Sequence, residues 1–112
     1  MEQVGDILQL SLLLDFYGEL LTPKQRDVFT MYHQDDLSLS EIAAEEGVSR
    51  QAVQDQLRRT EKLLAGYEER LGLVARFLEQ KRLVRQIRTL ARELNETALG
   101  REIIALADRI LE

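Results

Sequence analysis

The stretch from Ser38 to Leu64, SLSEIAAEEGVSRQAVQDQLRRTEKLL, admits few architectures. Ser38 and Ser40 are both candidate helix caps, and Ser38-x-x-Glu41 has the capping-box spacing, in which two side chains satisfy backbone N–H groups at a helix start. Ile42, Ala43 and Ala44 follow on a short helix that must stop at Gly47, where a left-handed backbone would exclude a side chain. Ser49 then caps a second helix. Two capped helices joined by a glycine turn form a helix-turn-helix. Ile42, Ala43, Val48, Val53 and Leu57 are the apolar positions expected to hold its helices together, with Val48 buried in the turn and Ala43 small at the crossing.

The flanking segments also read as helices. Val4, Ile7, Leu8, Leu12, Leu13, Phe16, Tyr17, Leu20 and Leu21 recur at steps of three and four, which predicts an amphipathic helix over 4–21. Thr22-Pro23 is a cap followed by a first-turn proline, so a second helix is expected from Pro23 to His33 with Val28, Phe29 and Tyr32 inward. Gln34-Asp35-Asp36 is a polar turn. The helix after Ser49 carries Val53, Leu57, Thr60, Leu64, Tyr67, Leu71, Val74 and Leu78 in a heptad-type seam, which invites a homodimer. Gly72 either ends that helix or sits inside it at a cost of about 1 kcal/mol. Residues 76–94 are helical again, with Leu83, Ile87, Leu90 and Leu94 on one face and Lys81, Arg85, Arg88 and Arg92 on the other. Residues 95–100 read as a turn, and Ile103, Ile104, Ala107, Ile110 and Leu111 as the inward side of a last short helix.

The fold class is therefore all-α, five to six helices with a central helix-turn-helix and a long C-terminal helical region. Residues 1–72 would be the helix-turn-helix domain, with 73–112 an extension packed on it in a single structural domain. The length of 112 residues and a single proline suit this.

Charge is unevenly spread. The chain carries a net charge of -5, and Glu2, Asp6, Asp15 and Glu19 precede the first base, Lys24. From Arg76 to Arg92, by contrast, Arg76, Lys81, Arg82, Arg85, Arg88 and Arg92 face only Glu79. A local stripe of this kind can dock phosphate on a chain that is otherwise repelled by it, and RNA backbone suits it because duplex RNA is recognised largely by shape and phosphate contacts. The helix after Ser49 offers Arg50, Gln51, Gln54, Asp55, Arg58 and Arg59 near its start. Arginine and glutamine contact phosphates or base edges, whereas Asp55 opposes both.

Catalysis has little to stand on. With no cysteine and one histidine, His33, there is no thiolate or His-pair metal site. His33 reads as a partly exposed residue at a helix end, and Asp35-Asp36 as a solvated turn. No glycine-rich phosphate loop exists. No catalytic residue, metal or cofactor is expected, and no apolar run reaches the length of a membrane span. The absence of cysteine and of a basic signal-peptide start fits a cytoplasmic protein.

The segment LTPKQRDVFTMYHQDDLSLSEIAAEEGVSRQAVQDQLRRTEKLLAGYEERLGL resembles the YlxM family, small bacterial helix-turn-helix proteins encoded beside the signal recognition particle GTPase. The matching positions are Leu21, Thr22, Gln25 and Tyr32, Ser40 to Ala43, Gly47 to Val53, Asp55, Arg59 to Lys62, Leu64, Tyr67, Glu68 and Leu71. The front part also looks like region 4 of sigma factors, while SRQAV with RTEK and the following YE is more specific. The resemblance covers residues 10–75; beyond Arg76 it is weaker, and Gly72 departs from it. It implies a regulatory or accessory part in the signal recognition particle pathway, in contact with the particle's RNA, its GTPase or both. The nucleic-acid-contacting residues on this reading are Ser49, Arg50, Gln51, Gln54, Arg58 and Arg59 at the helix-turn-helix, with Lys81, Arg82, Arg85, Arg88 and Arg92 as a second, sequence-blind surface. A DNA-binding transcription regulator and a protein-only adaptor are the alternatives.

Overall fold

The structure is a computed structural model that describes residues 4–94 and 97–112, with side chains from Gln9 onward. The expected inward positions Val4, Ile7 and Leu8 lie outside the described side chains, and Asn95 and Glu96 lie outside the described residues. Six α-helices follow one another, α1 (Val4–Tyr17), α2 (Pro23–His33), α3 (Leu39–Glu46), α4 (Arg50–Leu71), α5 (Leu73–Arg92) and α6 (Ala98–Arg109), with no strand among the described residues. The chain forms two compact units, Met1–Gly72 and Leu73–Glu112.

The first unit holds α1 to α4, with α1, α2 and α3 all packed on α4. Its core is Leu13, Leu14, Tyr17, Leu21, Val28, Phe29, Ile42, Ala43, Val53, Leu57 and Leu64. Thr60 is buried among them and donates its hydroxyl to the Gln56 carbonyl at 2.9 Å, so it carries no desolvated donor. Tyr17 is buried and donates to Glu68 at 2.6 Å, a short bond that joins α1 to the far end of α4.

Caps define the helix starts. Thr22 and Gln25 make a reciprocal capping box on α2, and Ser38 and Glu41 make one on α3. Of the two candidate serines, then, it is Ser38 that caps. Gly47 ends α3 at φ 68°, and the N–H groups of Gly47 and Val48 both donate to the Ala43 carbonyl. Gly72 ends α4 in the same left-handed conformation at φ 62°, which decides between the two readings of that glycine.

Several inward assignments change. The first helix stops at Tyr17, and Gly18–Leu20 form one 3-10 turn. That turn leaves Leu20 outside, and Phe16 is also exposed while Leu14 is buried instead. Tyr32 is exposed at 37%, its ring meeting the edge of His33. His33 is the reverse case, with a side chain only 9% exposed. Its ring centre lies 4.3 Å from that of Phe29 with the two planes tilted by 42°, its Nε2 lies 3.5 Å from a Glu61 carboxylate oxygen, and that nitrogen has no hydrogen-bond partner. Helix α2 packs on α4, and this covers what an isolated helix end would leave open. Val48 is 38% exposed rather than buried in the turn. The seam on α4 is buried inside the unit at Val53, Leu57, Thr60 and Leu64, so the surface that motivated a coiled-coil dimer is occupied, and Leu71 beyond it is exposed.

The second unit is α5 packed on α6. Here the expected inward face is displaced by one residue. Val74, Val84 and Ala91 are buried on α5, with Ile87 half-buried, while Leu83, Leu90 and Leu94 are exposed. Helix α6 starts at Ala98, inside the segment expected to be a turn, because Thr97 caps it by accepting from Gly100 N–H at 3.0 Å. Gly100 and Ala107 face inward, Ile103 and Ile104 are half-buried, and Ile110 and Leu111 are exposed. The reason is close approach: a Cβ at Gly100 would lie 3.0 Å from the Ala91 carbonyl oxygen. Small residues bring the two helices together, and large ones no longer fit between them.

Candidate nucleic-acid interface

Two surfaces carry the residues singled out by the sequence. The first is the start and outer face of α4. Ser49 caps the helix by accepting from Ala52 N–H at 3.0 Å, which leaves its own O–H able to donate outward. Because Val53, Leu57, Thr60 and Leu64 face the core, Gln51, Asp55, Arg58 and Lys62 fall on the opposite side at about 100° per residue. Arg50, Gln51, Arg58 and Arg59 are exposed, and Gln54 is half-buried at the edge of the face.

Two details modify what this face can do. The Gln51 amide donates to Asp55 at 3.1 Å, so the side chain best suited to reading an adenine is engaged on its own helix. Asp55 also places a carboxylate among the cations. Further along, Arg58, Arg59 and Lys62 line one surface groove with Glu61 and Ala65. Lys62 is missing from the contact residues that the sequence singles out. Its signal is present there all the same, since it lies one helical turn beyond Arg58 on the same outward line.

The second surface lies between α5 and α6 of the C-terminal unit. Lys81, Arg85, Arg88 and Arg92 converge on a cleft of about 190 Å³, whose other walls are Val84, Thr89 and Leu111. Lys81 Nζ sits 5.5 Å from the Phe77 ring centroid, a cation–π contact that steadies it on the helix surface. Arg88 makes a two-pronged pair with Asp108, Nε to Oδ1 at 2.9 Å and Nη2 to Oδ2 at 3.0 Å. The fork fixes one guanidinium and cancels one charge, while Lys81, Arg85 and Arg92 remain exposed.

Arg82 does not join this cluster. It points to another side of α5 and binds Glu79 through Nη2 at 2.6 Å and Nε at 2.9 Å. Hydrogen bonding from Arg82 holds the Glu79 carboxyl below the ordinary carboxylate range, and the same contact raises Arg82. Of the five C-terminal cations chosen from sequence, the structure gathers four and separates Arg82.

Among the described residues no group of His, Cys, Asp or Glu is placed to hold a metal ion, and no helix is long and apolar enough to cross a membrane. The cationic surfaces offer positive charge and hydrogen-bond donors, which suits anion binding, and the helix-turn-helix supplies a rigid frame for one of them.

Comparison with known proteins places this geometry in a family. The chain matches, over residues 4–102, the family described as "Putative helix-turn-helix protein, YlxM / p13 like". A UPF0122 protein of Exiguobacterium sibiricum is 54% identical over 82 residues, 73% of this chain and 77% of that protein. One from Halalkalibacterium halodurans is 42% identical over 103 residues, 92% of both chains, and one from Bacillus cereus is 51% identical over 85 residues, 76% of this chain and 77% of that protein. The family match runs past residue 75, where the sequence resemblance weakens, through α5 and into α6. The protein with this helix-turn-helix and this C-terminal helical pair belongs to the YlxM/p13-like family, UPF0122.

Proposed function

We propose that this protein is a non-enzymatic, nucleic-acid-binding accessory factor of the bacterial signal recognition particle pathway, regulatory in role and acting in the cytoplasm. On this reading it contacts the particle's RNA, its GTPase or both. The observation that carries the nucleic-acid part is the convergence of Lys81, Arg85, Arg88 and Arg92 on one cleft in a chain of net charge -5. Such a cluster attracts phosphate by charge. The helix-turn-helix adds exposed Arg58, Arg59 and Lys62 along the outer side of α4, with Arg50 exposed at its start, and cations of this kind contact nucleic-acid backbone.

RNA is favoured over sequence-specific DNA reading for a local reason. Gln51 is held by Asp55, and a carboxylate on the reading face opposes entry into a groove lined by phosphate. The arrangement suits shape-and-backbone recognition better than base-edge recognition. A helix-turn-helix transcription regulator is the second reading, favoured by the capped, outward α4 itself.

A salt titration of binding tests the proposal, with the particle's RNA, a scrambled RNA and random duplex DNA as ligands and the GTPase as a protein bait. Replacing Lys81, Arg85, Arg88 and Arg92 with Gln should weaken binding to all RNAs alike and lower the salt slope by about 0.7–0.9 per lost phosphate contact. Replacing Arg50 and Gln51 with Ala should narrow the preference for the particle's RNA over the scrambled one. An unchanged slope in the first variant makes the α5 cations a solvated surface only. If neither variant alters RNA binding and the GTPase is retained, the protein is an adaptor. Tighter binding to DNA than to either RNA supports the transcription-regulator reading.

A further inference from the structure

We propose that the apolar face shared by α5 and α6 receives the same face of a second copy of this chain, so that two helical hairpins close into a four-helix bundle. The face arises from a repeated one-residue offset. Leu83 precedes buried Val84, Leu90 precedes buried Ala91, Leu99 precedes buried Gly100 and Leu106 precedes buried Ala107. In each case the large residue lies about 100° from the α5–α6 contact line, in the same rotational sense. Two consecutive helices joined by a short connection run antiparallel, and in an antiparallel pair equal offsets fall on the same side. All four leucines therefore project from one surface.

The exposures are large for leucine: 65% at Leu90, 59% at Leu99, 55% at Leu106 and 43% at Leu83. The spacing is that of interlocking helices. On α5 the row Leu83, Ile87, Leu90, Leu94 advances by four, three and four residues, and on α6 the row Leu99, Ile103, Leu106, Ile110 repeats the same steps. Rows of this spacing present knobs to the holes of a facing helix. A two-helix hairpin with small residues inside and large ones outside has half of a bundle core.

Charge selects the occupant. The rim beside the rows carries both signs, Glu79 and Arg82 in a closed pair, with Glu93, Glu102 and Arg109. A mixed rim is compatible with a two-fold contact, in which a rim of one sign would repel itself. A lipid surface fits poorly, because the cations Lys81, Arg85, Arg88 and Arg92 are on the opposite side of α5, where they could not reach headgroups while the leucines were inserted. Two helices meeting over three turns bury only a few hundred Å² per copy, below the roughly 800 Å² of a standard interface. The association is accordingly expected to depend on concentration and is to be sought over a wide concentration range.

Sedimentation of the full chain from about 1 µM to about 300 µM tests this. The expected result is a monomer–dimer equilibrium that is abolished by Leu90→Glu with Leu106→Glu, at unchanged helical circular dichroism, and that survives Leu71→Glu on α4. Because the chain has no native cysteine, cross-linking gives a readout independent of the charged variant's folding. Leu90→Cys should be joined into dimers by a bifunctional maleimide, and Arg85→Cys, on the cationic side, should not. A wild type that stays monomeric throughout overturns the proposal. So does a dimer that persists in the double variant, or equal cross-linking at both positions. Binding of the wild-type monomer to phosphatidylcholine–phosphatidylglycerol vesicles, lost in the double variant, would assign the face to lipid and also overturn it.

Discussion

The two units of this chain solve the same packing problem in opposite ways. The first buries large side chains, Tyr17, Phe29, Ile42 and Leu64, and ties the helices that carry them to one central helix. The second buries Val74, Val84, Ala91, Gly100 and Ala107 and leaves its leucines outside. Both are rich in apolar residues at helical spacing. Apolar periodicity fixes which side of a helix is oily, while residue size fixes which part of that side meets its neighbour. A small residue lets backbones approach, and a large one beside it is pushed to the margin. The first unit thus holds its largest side chains in its own core, whereas the second keeps a regular row of leucines on its surface.

The largest contrast between the units is expected when a large buried side chain is removed from the first and an exposed one from the second. Phe29→Ala should cost about 3–5 kcal/mol, read by urea denaturation, because Phe29 is fully buried against His33. Leu90→Ala should change the stability of the monomer by no more than about 0.5 kcal/mol. Similar losses from both would mean that the C-terminal leucines are core after all.

Glycines sharpen the contrast with a smaller effect. Gly47 has φ 68° and open space where a Cβ would lie, so Gly47→Val strains only the backbone, and a loss of about 1–3 kcal/mol is expected. Gly100 lacks that left-handed strain but has a carbonyl 3.0 Å from its would-be Cβ, and Gly100→Ala should cost a similar 1–3 kcal/mol, roughly, through overpacking. The two differ in rescue. Ala91→Gly leaves the Ala91 carbonyl in place and should not restore Gly100→Ala, whereas Gly47→Asn should be milder than Gly47→Val, because asparagine tolerates the left-handed region. Thermal melts of these variants decide this.

Caps come next. Ser38→Ala removes one half of the α3 capping box and should cost about 1 kcal/mol in a denaturant titration. The smallest effect is expected at the fully exposed Glu79–Arg82 pair on α5. Arg82 holds the Glu79 carboxyl below its ordinary value of 4.5. Any stability the pair contributes is therefore present above that value and fades as pH falls through the lowered one. Solvent screening keeps it small, so melting curves of Arg82→Gln and wild type should coincide near pH 7. A clear gap there would mean that Arg82 does more than pair with its own helix.

The candidate surfaces were legible in the sequence to different depths. The α4 face followed from Ser49 and the inward residues Val53 and Leu57, which between them fix the cap and the rotation of the helix. The C-terminal cations read as a stripe, and helical spacing already sets Lys81, Arg85, Arg88 and Arg92 on one face, yet the sequence reading counts Arg82 with them as a contact residue. Arg82 sits about a quarter turn from the middle of that face, and Glu79 three residues earlier gives it a partner of its own.

Although residue order admits two readings of Gly72, from it alone came the helical character of the chain, the caps at Thr22 and Ser49, the glycine turn at Gly47 and the helix-turn-helix they build. These depend on contacts within a few residues, where side-chain chemistry acts on the adjacent backbone. Only the tertiary structure decided that Tyr32 and Val48 are exposed, that His33 is covered, that Leu14 rather than Phe16 enters the core, and that α5 meets α6 through Val84, Ala91, Gly100 and Ala107. An isolated amphipathic helix has an apolar sector wider than any single neighbour can cover. Which residues in that sector are buried depends on the distance and rotation of the helix packed against it.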